Sequence, residues 1–214
     1  SSAKNTKKLD YFENLKLNSS FNDLVVASDP GNYIFNRNEL FPFSGISSSK
    51  TLHCNENGYY SIYESDRYGF NNPNKEWEET SIEYLLIGDS FTHGSCVNRP
   101  NDISSVLRNL SNKSVLNLGY NGNGPLIEYA TLKEYFRSNV KNVLWIYFEG
   151  TDLSDLKNEL NSNILRKYLK DDKFSQNLKE RQEIINDIIR KSIEDSKDNK
   201  SSINYLNFIK LNSS

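Results

Sequence analysis

Residues 84–94 read Tyr84-Leu85-Leu86-Ile87-Gly88-Asp89-Ser90-Phe91-Thr92-His93-Gly94, an apolar run that stops on a Gly-Asp-Ser turn and continues into small and polar residues. The run has the composition of a buried strand. A strand with this ending lifts the serine hydroxyl to the carboxyl edge of a parallel sheet, at the start of the next helix. The free N–H groups of a helix start favour developing negative charge there. The segment therefore predicts a serine nucleophile at residue 90.

The sequence around this segment alternates predicted strands and helices. Strands are predicted at 84–87, 114–118 and 142–148, and helices at about 100–110 and 125–136. The first helix has a proline near its first turn and four apolar residues on one face, the pattern of an amphipathic helix: Ile103, Val106, Leu107 and Leu110. Alternating units of this length indicate a parallel sheet with helices on both faces. The three strand ends then converge at one edge, where such sheets bind ligands.

The regions that flank this core have different patterns. Residues 1–38 are predicted to be an extended polar lead-in, with a short strand at Leu24-Val25-Val26-Ala27. Asn57-Gly58 between two apolar runs predicts a β-hairpin. Residues 66–73 predict a loop with turn chemistry just upstream of the core.

After Asp152 the alternation stops, and two series of apolar residues recur at helical spacing: Leu153, Leu156, Leu160, Ile164 and Tyr168, then Phe174, Leu178, Ile184, Ile185, Ile188 and Ile189. They predict a long helical excursion with a break near Asp171-Asp172. The charged tract 194–200 is interpreted as a solvated helix end or loop, and residues 204–211 as a last strand or helix. We interpret residues 1–214 as one domain, divided into a lead with a hairpin (1–80), an α/β core (81–153) and a helical extension (154–214).

Composition excludes several classes of function. The 214 residues include 26 basic and 28 acidic residues, a formal net charge of -2, so no basic surface for nucleic acid or anionic lipid is expected. No apolar run approaches the roughly 18 residues of a membrane helix, and no charged-then-apolar leader opens the chain. Because the chain starts at Ser1 and contains no methionine, we interpret it as a processed or trimmed piece. Any export signal or membrane anchor is expected outside it.

The chain has two cysteines, Cys54 and Cys96. They can be unrelated buried thiols, the usual state in a cytosolic protein, or one disulfide that ties the segment before the Gly-Asp-Ser turn to the helix after it. A structural zinc site needs two further ligands, and the only histidines are His53 and His93. These observations leave both states of the cysteines open.

Three loops follow the three predicted strands and end in residue types that an acyl-transfer site needs. They read Gly88-Asp89-Ser90, Asn121-Gly122-Asn123-Gly124 and Glu149-Gly150-Thr151-Asp152. In this order and spacing they resemble the SGNH, or GDSL, superfamily of serine esterases and O-acyltransferases, over about the middle third of the chain. The resemblance implies an α/β fold with a flavodoxin-like three-layer parallel sheet, here incomplete at its carboxyl end.

The resemblance also implies roles for individual residues. Ser90 is expected to be the nucleophile and its backbone N–H the first oxyanion donor. Gly122 is expected to give a second N–H, which can approach closely because glycine has no Cβ. Thr151 stands where the family has an asparagine amide, and its hydroxyl is a shorter donor. Losing one oxyanion donor typically lowers turnover about 100- to 1000-fold, so activity is expected to fall unless Asn121 or Asn123 supplies a replacement.

The family closes with an Asp-x-x-His block, in which the histidine activates the serine and the aspartate orients the histidine. No histidine follows His93 in this chain, so we interpret the sequence as stopping before that block, with a degenerate, non-catalytic member as the alternative. His93 lies one turn beyond Ser90 and is interpreted as a polar helix residue that lines the pocket rather than as the base. His53 is interpreted as a hairpin residue that is partly exposed or packed.

The acidic residues near the loops are given structural interpretations. Asp89 is expected to brace the turn through backbone hydrogen bonds. Glu149, Asp152 and Asp155 are interpreted as helix-start carboxylates and a structural loop acid rather than as a metal cluster. No metal or cofactor is therefore expected.

Residues 66–72, Asp-Arg-Tyr-Gly-Phe-Asn-Asn, are similar to a segment before the catalytic turn in envelope-associated members of this superfamily. Several of those add or remove acyl groups on cell-surface or secreted polysaccharides. The resemblance thus implies an extracytoplasmic location, in the periplasm or cell envelope, where a disulfide between Cys54 and Cys96 is favoured. It implies an acylated carbohydrate or another ester as substrate, with membrane contact only through a segment outside this chain. The alternative is a degenerate or truncated module that binds carbohydrate or a protein partner.

Overall fold

A computed structural model of the chain describes residues 2–18, 21–30 and 40–196. In these ranges the protein has seven α-helices and two three-stranded sheets, so the predicted mixed α/β class is confirmed. None of the described helices is both long enough and apolar enough to cross a membrane.

The amino-terminal part forms one helix and the smaller sheet. Helix α1 spans Ser2–Lys16, and strands β1 (Val25–Val26), β2 (Lys50–Leu52) and β3 (Ile62–Glu64) pair in that order. Strand β1 runs parallel to β2, whereas β2 and β3 are antiparallel. The predicted short strand and hairpin are therefore confirmed.

The prediction of an extended lead-in is wrong for residues 2–16, which are helical. Phe12 is buried and packs with Leu24 and Leu52 in a small separate core, and Leu15 borders the same core. Residues three apart share one helix face, so Phe12 and Leu15 together anchor the helix. Docking onto this core stabilises a helix whose own sequence has little periodicity.

The larger sheet consists of three parallel strands. Strands β4 (Ile82–Gly88), β5 (Val115–Asn117) and β6 (Val140–Ile146) lie in the order β5-β4-β6, so the first strand along the chain is central. Leu86 pairs with Asn117 on one side, and Gly88 pairs with Ile146 on the other. All three predicted strands are present, with β4 and β6 each beginning two residues before the predicted position.

Helices connect and follow these strands: α2 (Ser90–His93), α3 (Ile103–Ser111), α4 (Pro125–Tyr135), α5 (Asp152–Glu159), α6 (Asn163–Lys170) and α7 (182–196). The helical excursion after strand β6 is confirmed, and its break at 171–177 matches the prediction. Residues 197–200 of the charged tract and the predicted element at 204–211 lie outside the described residues.

One apolar core holds the sheet against the helical extension. It joins Leu85 and Ile87 of β4 to Tyr168 of α6 and to Ile185 and Ile189 of α7. The extension packs mainly on α4, and its first helix, α5, also contacts the loop that follows β5.

Helix α3 is oriented opposite to its amphipathic pattern. Three of its four apolar residues face solvent, with exposed fractions of 43%, 42% and 80%: Ile103, Val106 and Leu110. The fourth, Leu107, is half-buried. The inward face instead carries Arg108, which donates to Val115 O at 2.8 Å and Asn72 Oδ1 at 2.9 Å and pairs with Glu76 at 3.3 Å. An amphipathic pattern normally buries the apolar face. Here charge-assisted bonds from one arginine fix the opposite face inward.

Candidate functional site

The loops that follow β4, β5 and β6 touch one another at the carboxyl edge of the sheet. Tyr120 N donates to Gly88 O at 3.2 Å, which joins the second loop to the first. The rings of Phe91 and Phe148 have centroids 5.1 Å apart, which joins the first loop to the third. Ser90, Gly122 and Thr151 therefore lie on three loops that share one edge.

The second loop rests on helix α5. Glu159 accepts hydrogen bonds from Gly124 N at 2.7 Å and Leu126 N at 2.9 Å, and so caps the start of α4. A Cβ on Gly124 would lie 2.6 Å from Asp155 Cβ, so only glycine fits between the loop and α5. Burial raises the pKa of Glu159 to about 7 although the backbone donors oppose this shift.

Ser90 is the first residue of α2, directly after the central strand. A Cβ on Gly88 would collide with the Thr92 hydroxyl, so glycine is required for the chain to turn this sharply. Asp89 caps α2 by accepting from Phe91 N at 2.9 Å, as predicted. Ser90 is half-buried, and within the described ranges no residue hydrogen-bonds to its hydroxyl. The hydroxyl is therefore available to a ligand.

The loop that contains Gly122 is held by residues from two other segments. Gly122 has a φ of 79°, a left-handed conformation that favours glycine. Asn121 Nδ2 donates to Asp29 Oδ1 at 2.5 Å, and Asn121 Oδ1 accepts from Ser95 Oγ at 3.2 Å. The amide of Asn121 is thus committed to holding the loop rather than to an oxyanion. Sequence reasoning missed Asp29 because it lies 92 residues away from Asn121.

The remaining predicted oxyanion and supporting residues have different surroundings. Thr151 is exposed, and although it stands at the start of α5, its side chain makes no capping hydrogen bond. The Asn123 side chain is buried, and neither of its polar atoms has a partner among the described residues. Asp152 is buried and accepts from Phe148 N at 2.7 Å, as expected for a helix-start carboxylate.

The rings of the two histidines, His93 of α2 and His53 of the hairpin, contact each other. The ring of His93 stacks on Tyr120 and lies against His53, with centroid distances of 4.7 Å in both cases. Both histidines are buried, so His53 packs, and the prediction that His93 lines the pocket is wrong. Neither nitrogen of His93 has a partner among the described residues. Burial lowers the pKa of His93 to about 3, so the ring is neutral at pH 7.

We expect the free energies of unfolding of His93→Phe and of the wild type to diverge as the pH falls. The unfolded chain protonates His93 near its ordinary pKa of 6.5, whereas the folded chain resists protonation down to about pH 3. The stability that depends on a neutral His93 is therefore complete above pH 6.5 and is lost as the pH falls towards 3. Phenylalanine keeps a ring against Tyr120 but does not titrate. At pH 5 the wild type should lose about 2 kcal/mol relative to the variant, compared with pH 7.

Urea unfolding of both proteins at the two pH values measures this difference. Most other buried titratable groups are common to both proteins and cancel in the comparison. His53 is the exception, because the charge of His93 helps to lower the pKa of His53, so the measured difference includes the response of both histidines. The same pH dependence in wild type and variant would contradict the assignment of a neutral, buried His93.

Cys54 and Cys96 form a disulfide, with their Cα atoms 4.9 Å apart. The bond connects the hairpin to the segment after α2. Of the two states that the cysteine count leaves open, the structure has the disulfide.

Glu128 of α4 is a buried acid at this edge that sequence reasoning did not identify. Trp145 Nε1 donates to Glu128 Oε2 at 2.6 Å. Burial raises the pKa of Glu128 to about 8, and the charges of Asp152 and Asp89 act in the same direction. The sequence signal was a single glutamate inside the apolar stretch 126–130. Among the described residues, no group of three or more His, Cys, Asp or Glu side chains is arranged to hold a metal ion.

Comparison of the chain with protein-family models, with curated proteins and with solved structures finds no match. The function therefore has to be inferred from the residues and geometry of the three loops.

Proposed function

We propose that this chain carries the nucleophile of an SGNH-type ester hydrolase or O-acyltransferase that acts on acylated carbohydrate. The observation that carries the proposal is the position of Ser90, at the carboxyl end of the central strand with its hydroxyl unpaired among the described residues. The order β5-β4-β6 matches the start of a flavodoxin-like sheet. Ligands of such sheets bind where the strand order reverses, which here lies between the loops of Ser90 and Thr151.

In the proposed reaction, Ser90 Oγ attacks the carbonyl carbon of the ester and forms an acyl-serine, while the alcohol leaves with a proton. The oxyanion accepts hydrogen bonds from the backbone N–H groups of Ser90 and Gly122, with the Thr151 hydroxyl as a weaker third donor. Water then releases the acyl group in a hydrolase, and a second hydroxyl takes it in a transferase. The same machinery serves both outcomes.

A base has to accept the proton of the Ser90 hydroxyl. His93 is enclosed by Tyr120 and His53, and burial lowers its pKa to about 3, so its imidazole is a weak proton acceptor. Both properties argue against His93 as this base. We propose that this base is a histidine such as that of the Asp-x-x-His block in the family that the chain resembles, which neither His53 nor His93 provides. In this chain, external imidazole is expected to substitute for it.

Labelling with a fluorophosphonate, with and without imidazole, tests the proposal. We expect an adduct on Ser90 that forms faster as imidazole is added, because the reagent reacts with an activated serine. Ser90→Ala should abolish the adduct, whereas Ser111→Ala, a serine at the end of α3, should keep it. Failure to form a Ser90-dependent adduct in imidazole would contradict the proposal.

The alternative is a catalytically degenerate module that binds carbohydrate or a protein partner. Exposed Thr151 in place of an asparagine and the enclosed imidazole of His93 favour it. Binding of an acylated glycan that Ser90→Ala leaves unchanged, together with the absence of an adduct, would support this alternative.

A further inference from the structure

Two phenylalanines beside Ser90 face solvent. Phe91 follows Ser90 and is 56% exposed, and Phe148, at the start of the third loop, is 39% exposed. Their rings lie in contact, with centroids 5.1 Å apart. Phenylalanine side chains are usually buried, and an exposed pair next to a reactive group offers apolar area to a ligand. The pair joins the first loop to the third, and Phe91 is the residue next to Ser90 in the sequence.

The first loop and the start of α5 carry three acidic side chains. Asp89 directly precedes Ser90, Asp152 binds Phe148 N at 2.7 Å, and Asp155 contacts the second loop at Gly124. The charge of Asp155 acts on both Asp89 and Asp152. None of the lysines and arginines in the described ranges forms an ion pair with these three carboxyls. Asp89 and Asp152 are buried, and burial raises the pKa of both carboxyls. Asp155, which is only partly buried, is therefore the most accessible of these three acidic groups.

We propose that this site selects neutral or cationic esters whose apolar part packs on Phe91 and Phe148, and that it discriminates against anionic esters. The inference rests on the proposed function of Ser90 and narrows its substrate class. Esters of neutral sugars or amino sugars fit, whereas esters of uronic acids, sulfated sugars or dicarboxylic acyl groups do not. One like charge about 8 Å from a carboxylate, at an effective dielectric constant of about 40, weakens an interaction about fivefold.

A matched pair of esters measures the selectivity. 4-Nitrophenyl butyrate and 4-nitrophenyl hemisuccinate differ in one position, where a carboxylate replaces the terminal methyl group. The rate that depends on Ser90 is obtained in imidazole buffer by subtracting the rate of the Ser90→Ala variant. We expect kcat/KM for butyrate to exceed that for hemisuccinate at least tenfold at low salt, and the ratio to shrink at about 0.5 M salt.

Two charge variants test whether the acidic residues near Ser90 cause the preference for butyrate over hemisuccinate. Asp155→Asn should narrow the ratio of the two kcat/KM values about fivefold, because it removes one nearby charge and keeps the side-chain shape. Asp187→Asn makes the same charge change on the exposed surface of α7, where Asp187 pairs with Arg190, and should leave the ratio unchanged.

Two phenylalanine variants test the apolar contact. Phe91→Ala should raise KM for butyrate about fivefold while changing kcat less, because the lost contact binds the acyl chain rather than the reacting atoms. Phe136→Ala removes a comparably exposed ring at the opposite end of α4 and should not change KM.

The outcomes separate this inference from the function on which it rests. Ser90-dependent turnover with equal kcat/KM for both esters, or with hemisuccinate preferred, would overturn the selectivity and leave the esterase proposal in place. No Ser90-dependent turnover of either ester, together with no fluorophosphonate adduct, would overturn both.

Discussion

Replacing Asp66 with alanine is expected to lower the free energy of unfolding by about 3 to 5 kcal/mol, because several buried N–H groups lose their acceptor. The carboxylate is fully buried and accepts four hydrogen bonds. Oδ1 accepts from Tyr68 N at 2.9 Å and Phe70 N at 3.0 Å, and Oδ2 accepts from Asn72 Nδ2 at 2.8 Å and Trp77 Nε1 at 2.7 Å. Alanine would remove the acceptor of four N–H groups, although Asn72 Nδ2 keeps a second acceptor in Asn117 O. Each buried donor that is left unpaired typically costs about 1 to 3 kcal/mol before relaxation.

Urea unfolding at pH 7 measures the effect of Asp66→Ala. The matched control is Asp187→Ala, an aspartate on the exposed face of α7 that pairs with Arg190. That change should stay within about 0.5 kcal/mol, as exposed substitutions usually do. A loss below about 1 kcal/mol for Asp66→Ala would show that the loop finds other acceptors and that the carboxylate is not its centre.

This loss of stability matters for the candidate site because the loop that contains Asp66 positions two elements of that site. Asn71 Nδ2 donates to His93 O at 2.9 Å, and so holds the end of α2. Asn72 bonds both the N–H and the C=O of Asn117, each at 2.8 Å, and so continues the hydrogen bonding at the outer side of β5. Segment 66–72, which the family resemblance singled out, therefore connects α2 to β5 through hydrogen bonds.

The alternation of strands and helices in the core was predictable because burial imposes a local period. Strand β4 is buried along most of its length, and Leu85, Leu86 and Ile87 have no exposed side. Such a strand has to read as a continuous apolar run, whatever the rest of the fold does. The Gly-Asp-Ser turn was equally local, because Asp89 caps the helix that begins at the next residue.

What the sequence did not reveal depends on contacts between distant residues. The inward face of α3 is set by Arg108, which reaches Val115 and Asn72 in other segments. A hydrophobic pattern contains no information about such partners. The same holds for Asp29, which supports the Gly122 loop from the amino-terminal part of the chain through Asn121.

In strand β6 the hydrophobic sequence pattern and the observed burial disagree. From Val143 onwards its sequence is apolar on both faces, as in an interior parallel strand. Within the described residues no strand pairs with its outer edge, and Val143, Leu144 and Trp145 are exposed. The apolar sequence of β6 therefore predicts more burial than the strand has among the described residues.

The burial of His93 was missed for a further reason. A histidine next to a reactive serine suggests chemistry, and nothing local distinguishes a pocket residue from a packed one. Contacts with Tyr120 and with His53 from the hairpin decide its environment. The hairpin reaches this place because the disulfide attaches it to the segment after α2.

Removing the disulfide is expected to lower the free energy of unfolding by about 4 kcal/mol. Cys54 and Cys96 are separated by 42 residues, so the bond closes a long loop in the unfolded chain. The open chain gains the entropy that the closed loop lacks, and this gain favours unfolding. We expect part of this loss in unfolding free energy to come from the hairpin, which the disulfide holds against α2.

Urea unfolding of the Cys54→Ser/Cys96→Ser double variant measures this loss, and the wild type in excess reductant provides an independent measurement. Both should unfold at the same lower urea concentration, and reductant should have no effect on the double variant. Serine is close to cysteine in size, so the comparison isolates the covalent bond better than a change to alanine. A difference of less than about 1 kcal/mol between oxidised wild type and double variant would mean that the unfolded chain already keeps the hairpin near α2. In that case the packing of His53 on His93, rather than the covalent bond, would hold this side of the site together.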